Sequence, residues 1–178
     1  NQIDKASAVE RYAFLETLVS QNEALSDHLF NVSTFSVLFA FGLGHFGQDQ
    51  TMLLSMSGLF HGVGLRAIDQ KKTDKYLHNE MLSHSEMNIL TQHVKFGLQR
   101  LKERASLMPP GTLSIISQQL ENCDGTGTPN KLIQNDIHEF ARIMRISIDF
   151  NILASQKKSK PSLAEVMRKM MFNQKYSK

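Results

Sequence analysis

The sequence predicts an all-α fold, a single-domain bundle of about six to seven helices, and three observations carry that expectation. Apolar residues cluster at three-to-four spacing and seldom alternate, so no convincing strand emerges. Leu, Ile, Met and Phe supply most of the apolar mass, with only 4 Pro and no Trp, a mixture that favours helix. At 178 residues with 41% hydrophobic and 21% charged side chains, the chain is long enough to build one real core.

The elements follow in order. Residues 5–20 carry Ala8, Tyr12, Leu15, Leu18 and Val19 at helical spacing, and residues 1–24 are expected to form a helix that links to an upstream domain. After "SQNEALSD", Ser26 or Asp27 is the expected cap of a helix from about His28 to Gly44, apolar on most of its surface and therefore central. Met52–Ile68 is a further apolar segment interrupted by "HGVG", and Lys71–Leu82 reads as a long polar loop. Helix resumes over Ser85–Ala105 and stops at "MPPG". Thr112–Asn122 is a short helix ahead of a glycine loop, and Asp136–Ser155 is another. The last helix opens on "SLAE", where Ser162 and Glu165 have capping-box spacing.

Composition excludes several classes. A net charge of +3 is mild, and the basic runs Lys71–Lys75 and Lys157–Lys160 lack interleaved aromatics, so nucleic acid is not an expected partner. The most apolar stretch, "FSVLFAFGLG", is short of the roughly 20 residues that a membrane span requires. A lone cysteine, Cys123, forbids an internal disulfide and suits a reducing cytoplasm.

Seven histidines are present, and three occupy suggestive places: His28 near the start of the central helix, His61 after Met52–Phe60, and His93 within the Ser85 helix. Bundles build metal sites by projecting such side chains inward from different helices. Taken singly, each is more often a core or surface histidine.

Four stretches together resemble the bacterial HD-GYP domains, helical phosphodiesterases that hydrolyse cyclic di-GMP. "HLFNVS" is similar to the opening His-x-x-x-Val helix. "LFHGVGL" stands where the family has His-Asp-Ile-Gly-Lys, and "LSHSEMNILTQHV" resembles the segment whose last histidine binds metal. "QLENCDGTGTPNKL" sits where the family reads His-His-Glu-Arg-x-Asp-Gly-x-Gly-Tyr-Pro. The match runs from about Leu25 to Ser155, so residues 25–178 are expected to form an HD-GYP-like domain.

The resemblance implies a cluster of two or three iron or manganese ions that activate water and neutralise phosphoryl charge. His28, His61 and His93 keep ligand-type side chains at these positions. Gly62 stands for the bridging aspartate, Gln119 and Leu120 for the paired histidines, and Ile148 for the late aspartate, with Asp149 adjacent. Leu65 stands for the phosphate-contacting lysine and Thr128 for the motif tyrosine. Leucine and isoleucine cannot coordinate a metal, glutamine is a weak neutral ligand, and without the aspartates nothing bridges two cations. Asp149 is a poor rescue, because neighbouring helix positions point about 100° apart.

The expectation is therefore a degenerate HD-GYP domain with no metal cofactor and no intact catalytic residues, serving as a signalling or protein-interaction module. The loop Asp124, Gly125, Gly127, Thr128 and Pro129 is read either as a structural turn or as a contact for a GGDEF-type domain, as in the family. The same loop lacks the P-loop Gly-Lys-Ser/Thr ending and the EF-hand spacing. Two alternatives stay open. One is a phosphodiesterase with a rearranged iron, manganese or zinc centre on His28, His61 and His93, with or without Asp149; the other is a non-hydrolytic sensor of cyclic di-GMP or another nucleotide. The sequence also leaves a homodimer open.

Overall fold

A computed structural model describes residues 9–10, 12–14, 16–17, 22–157, 159–173 and 175–176. Much of the expected N-terminal helix, including Ala8, Leu15, Leu18 and Val19, lies outside the described residues, while residues 9–10, 12–14 and 16–17 are helical. From Glu23 onward eight α-helices run through the described residues, more than the six to seven expected, and a lone antiparallel bridge joins Asp124 to Ile133. The all-α class is as the sequence predicts.

Helix α1 (Glu23–Gly42) is capped by Asn22, whose side-chain oxygen accepts from the Leu25 amide at 3.0 Å. The helix thus begins more than a turn before His28, and neither Ser26 nor Asp27 caps it. Ser26 is inside the helix and returns its hydroxyl to the Asn22 carbonyl at 3.0 Å. Helix α2 (Gln48–Phe60) crosses α1 closely at Gly58, where a Cβ would lie 2.5 Å from Ser33 Cα. The "HGVG" interruption is real: a 3₁₀ turn over Val63–Ala67 follows α2.

The expected polar loop is instead helix α3 (Gln70–Leu77). Asp69 caps it, and only Thr73 and Leu77 are buried, a stripe too narrow for periodicity to reveal among five charged or polar neighbours. The expected Ser85–Ala105 helix is two helices, α4 (His84–Thr91) and α5 (His93–Lys102), with a break at Gln92. There His93 takes the Leu90 carbonyl that an unbroken helix would use. Helix α6 (Thr112–Ser117) is shorter than expected, α7 spans Glu139–Ala154, and α8 (Leu163–Met171) opens with the Ser162–Glu165 capping box.

Helix α1 packs between α2 and α7 and is central. One core cluster joins Val32, Ala40, Leu54, Ile115, Met144 and Ile148 across these helices. A second gathers Met56, Phe60, Leu101 and Ile116, and a third Leu25, Leu29, Leu65, Leu77 and Leu90. The 3₁₀ turn meets α5 backbone to backbone at Gly64, where a Cβ would lie 1.8 Å from the His93 carbonyl oxygen. That approach brings the His61 turn and His93 to one end of the bundle.

Candidate functional site

His28 lies on α1, His61 immediately follows α2, and His93 opens α5; they are 3%, 2% and 3% exposed. The fold brings His28 and His61 together, with Nε2 atoms 3.1 Å apart and rings in an edge arrangement. Each histidine is held through Nδ1. His28 Nδ1 is 2.6 Å from Asn151 Oδ1, His61 Nδ1 is 2.6 Å from the Gly58 carbonyl, and His93 Nδ1 is 2.6 Å from the Leu90 carbonyl.

This wiring has a consequence. A carbonyl only accepts, so Nδ1 of His61 and of His93 carries the proton and each Nε2 presents a lone pair. With the Asn151 oxygen toward His28, its Nδ1 is also a donor, and two bare Nε2 lone pairs would face each other at 3.1 Å. Either a shared proton, a cation, or a turned Asn151 amide resolves that conflict. A turned amide would donate to His28 Nδ1, and His28 Nε2–H would then donate to His61. Protonation is disfavoured: burial brings His28 down to about 4 and lowers His61 and His93 below their ordinary value.

The rest of the implied ligand set does not fit a multi-metal centre. A Cβ at Gly62 would lie 2.7 Å from Leu29 Cδ2, with Leu25 and Leu65 at 3.4 and 3.5 Å, so leucine methyls crowd the root of any side chain there. Ile148 is 1% exposed inside the main core. Asp149 points elsewhere, accepting from Arg145 Nε at 3.0 Å and from the Tyr176 hydroxyl at 2.9 Å. Gln119 is fully buried and donates from Nε2 to the His61 carbonyl at 3.1 Å. Among the described residues, no three His, Cys, Asp or Glu side chains gather as a metal-holding group.

Beside this buried knot lies a cleft of about 370 Å³ lined by His93, Leu120, Asn122, Thr128, Arg145, Asp149 and Lys175, among others. His28 and His61 are not among its lining residues. Leu65 sits in a leucine core and is not among the cleft's lining residues, yet the cleft carries positive charge. Arg145 and Lys175 supply it, and Asp149 and Glu80 balance it.

The glycine loop is internally satisfied. Asp124 accepts from the Thr126 amide at 2.9 Å and from its hydroxyl at 2.6 Å, and Gly125 has φ +79°. A Cβ at Gly127 would lie 2.2 Å from the Asn122 amide nitrogen, so that position admits only glycine. The Thr128–Pro129 peptide is cis, and Thr128 and Pro129 are exposed at the tip. Sequence reasoning missed the anchor of this loop, Glu121. It is 2% exposed and accepts from the Asn130 and Leu132 amides at 2.7 and 3.0 Å. It missed Asn151 as well; for Asn151 the signal available was a polar residue on an otherwise apolar segment, and for Glu121 a carboxylate just ahead of the glycine loop.

The helical bundle and the clustered histidines define a class. The HD-domain family model matches residues 21–177, and the chain belongs to the HD-domain family. It is 26% identical over 166 residues to the 3′3′-cGAMP-specific phosphodiesterase 2 of Vibrio cholerae serotype O1 (strain ATCC 39315 / El Tor Inaba N16961). That alignment covers 92% of this chain and 31% of the relative, so the chain spans about a third of the relative's length. The fold is similar to that of Bd1817, a HDG"Y"P protein from Bdellovibrio bacteriovorus, with a TM-score of 0.70 and 24% identity over 84% of this chain and 47% of that one. It is also similar to the HD domain of the L. monocytogenes phosphodiesterase PgpH, with a TM-score of 0.64 and 15% identity over 88% of this chain and 81% of that one. None of the helices described is long and apolar enough to cross a membrane.

Proposed function

We propose that this HD domain has given up metal-assisted phosphodiester hydrolysis and acts as a signalling and protein-interaction module in a cyclic di-GMP network. One observation carries the reading: the side chain that would bridge two cations is missing at Gly62, and leucine methyls crowd the point from which it would start. A lone restored carboxylate would meet apolar walls, and two neighbouring cations would repel without an anion between them. The interaction surface is the exposed tip at Thr128 and Pro129, held in place by Glu121 and Gly127. Its proposed partner is a GGDEF-type domain.

The test uses protein expressed with excess iron and manganese. Elemental analysis should find no stoichiometric metal, and cyclic di-GMP and 3′3′-cGAMP should both survive prolonged incubation. Turnover that a chelator abolishes would overturn the reading.

A second reading is a cyclic-dinucleotide phosphodiesterase with a rearranged centre. It draws on the relative named as a 3′3′-cGAMP-specific phosphodiesterase and on the histidine wiring, in which Nδ1 of His61 and His93 is committed to a carbonyl. That arrangement is how proteins hold imidazoles for a metal. Bound metal that disappears in His61→Ala would favour it. Micromolar binding of cyclic di-GMP without cleavage would instead favour a sensor that uses the cleft cations Arg145 and Lys175.

A further inference from the structure

Between Asp27 and Asp49 the chain has no Asp, Glu, Lys or Arg. Helix α1 occupies most of that stretch, burying Val32 and Ala40 in the core shared with α2 and α7 and Leu25 and Leu29 against Leu65, Leu77 and Leu90. Its opposite face carries exposed Glu23 and Asp27 in its first turns and from Phe30 onward is uncharged, with Asn31 and Thr34 as its exposed polar positions. Phe30, Leu38 and Phe41 are 50%, 54% and 38% exposed, and just beyond the helix Leu43 and Phe46 are 64% and 72% exposed. Phe41 and Phe46 lie against each other with ring centroids 5.6 Å apart and planes tilted by 32°, which carries the stripe around the turn, and Met52 on α2 is a further apolar side chain at 44% exposure. A helix apolar on every side ordinarily lies buried on every side. Here one side faces solvent.

We propose that this face is the dimer interface between two copies of this chain, with the α1 helices packed antiparallel about a two-fold axis. A contact of that symmetry places residues near the axis beside their own counterparts, which excludes a charged face and suits an uncharged one. With the axis beside Thr34 and Leu38, Phe30 of one copy meets Phe41 of the other, so these two rings cover one another across the axis. The exposed parts of the six side chains amount to about 600 Å², the lower edge of the roughly 600–1,000 Å² per partner of a standard interface. The described end segments pack elsewhere: Phe14 lies against Phe60 with its ring tilted, and the Lys175 carbonyl accepts from the Cys123 amide. The inference stands apart from any reading of the histidine site.

Sedimentation velocity and light scattering on this chain, up to about 0.2 mM, should show a reversible monomer–dimer equilibrium. Leu38→Glu sets two carboxylates near the axis and should weaken dimerisation roughly 30-fold or more while leaving the circular dichroism spectrum unchanged. Thr34→Cys in a Cys123→Ser background should form a disulfide-linked dimer under mild oxidation. A wild-type chain that stays monomeric at the highest concentration would overturn the proposal and leave the face to a different partner. A dimer that Leu38→Glu does not weaken, or that Thr34→Cys does not cross-link, would also overturn it.

Discussion

Acid should loosen this bundle through its buried histidines. Burial holds His28 at about 4, against an ordinary 6.5, so the unfolded chain binds that proton more readily than the folded one. The stability this contributes is complete above about pH 6.5 and is lost as the pH falls toward 4. From pH 7 to pH 5 the loss from His28 alone is about 2 kcal/mol. His61 and His93 are depressed in the same direction and steepen the slope. Urea unfolding followed by circular dichroism measures it, and the midpoint should drop by roughly 1 M over that interval at ordinary denaturant sensitivity. His28→Gln should be less stable at pH 7 but lose less on acidification. The measurement is repeated with a chelator, and the slope should persist. A stability that does not change from pH 7 to pH 5 would refute the claim that these imidazoles are buried and neutral, and a slope that vanishes with the chelator would mean that a metal, not burial, sets it.

Other substitutions test the packing directly. Gly62→Asp should destabilise by about 3 kcal/mol or more, because Leu29 Cδ2 sits 2.7 Å from the new Cβ and the carboxylate gains no partner. Thermal melts with and without manganese check this, and stabilisation by the metal would contradict the loss of the centre. Glu121→Ala removes the acceptor for the Asn130 and Leu132 amides, and should cost about 2–3 kcal/mol and raise amide exchange across residues 124–132. Gly64→Ala should be worse tolerated than Gly42→Ala, since its Cβ would lie 1.8 Å from the His93 carbonyl oxygen whereas nothing lies within 4 Å at Gly42; paired urea titrations compare them. Ser162→Ala should remove about 1 kcal/mol by unmaking the cap of α8, as read by denaturation.

Local chemistry determined much of this protein in advance. Three-to-four apolar spacing set the helical class, Ser162 with Glu165 set the start of α8, and the order of motifs placed His28, His61 and His93 where the fold brings them. The break after α2 was legible in "HGVG". Elsewhere several local solutions competed, and only packing chose among them. Asn22, Ser26 and Asp27 are all good caps, and Asn22 takes the role because Leu25, Ser26 and His28 are all buried within the helix. Helix α3 exists because Thr73 and Leu77 find a core to enter, a contact with residues far away in sequence. The partner of His28 is Asn151, 123 positions along the chain, and the carboxylate that holds Asn130 and Leu132 belongs to Glu121 on the other side of the turn. Sequence could show that an aspartate is missing at position 62. That leucines from α1 and the following turn crowd the root of any side chain there depends on how far apart three segments lie in space, and spacing along the chain does not encode that distance.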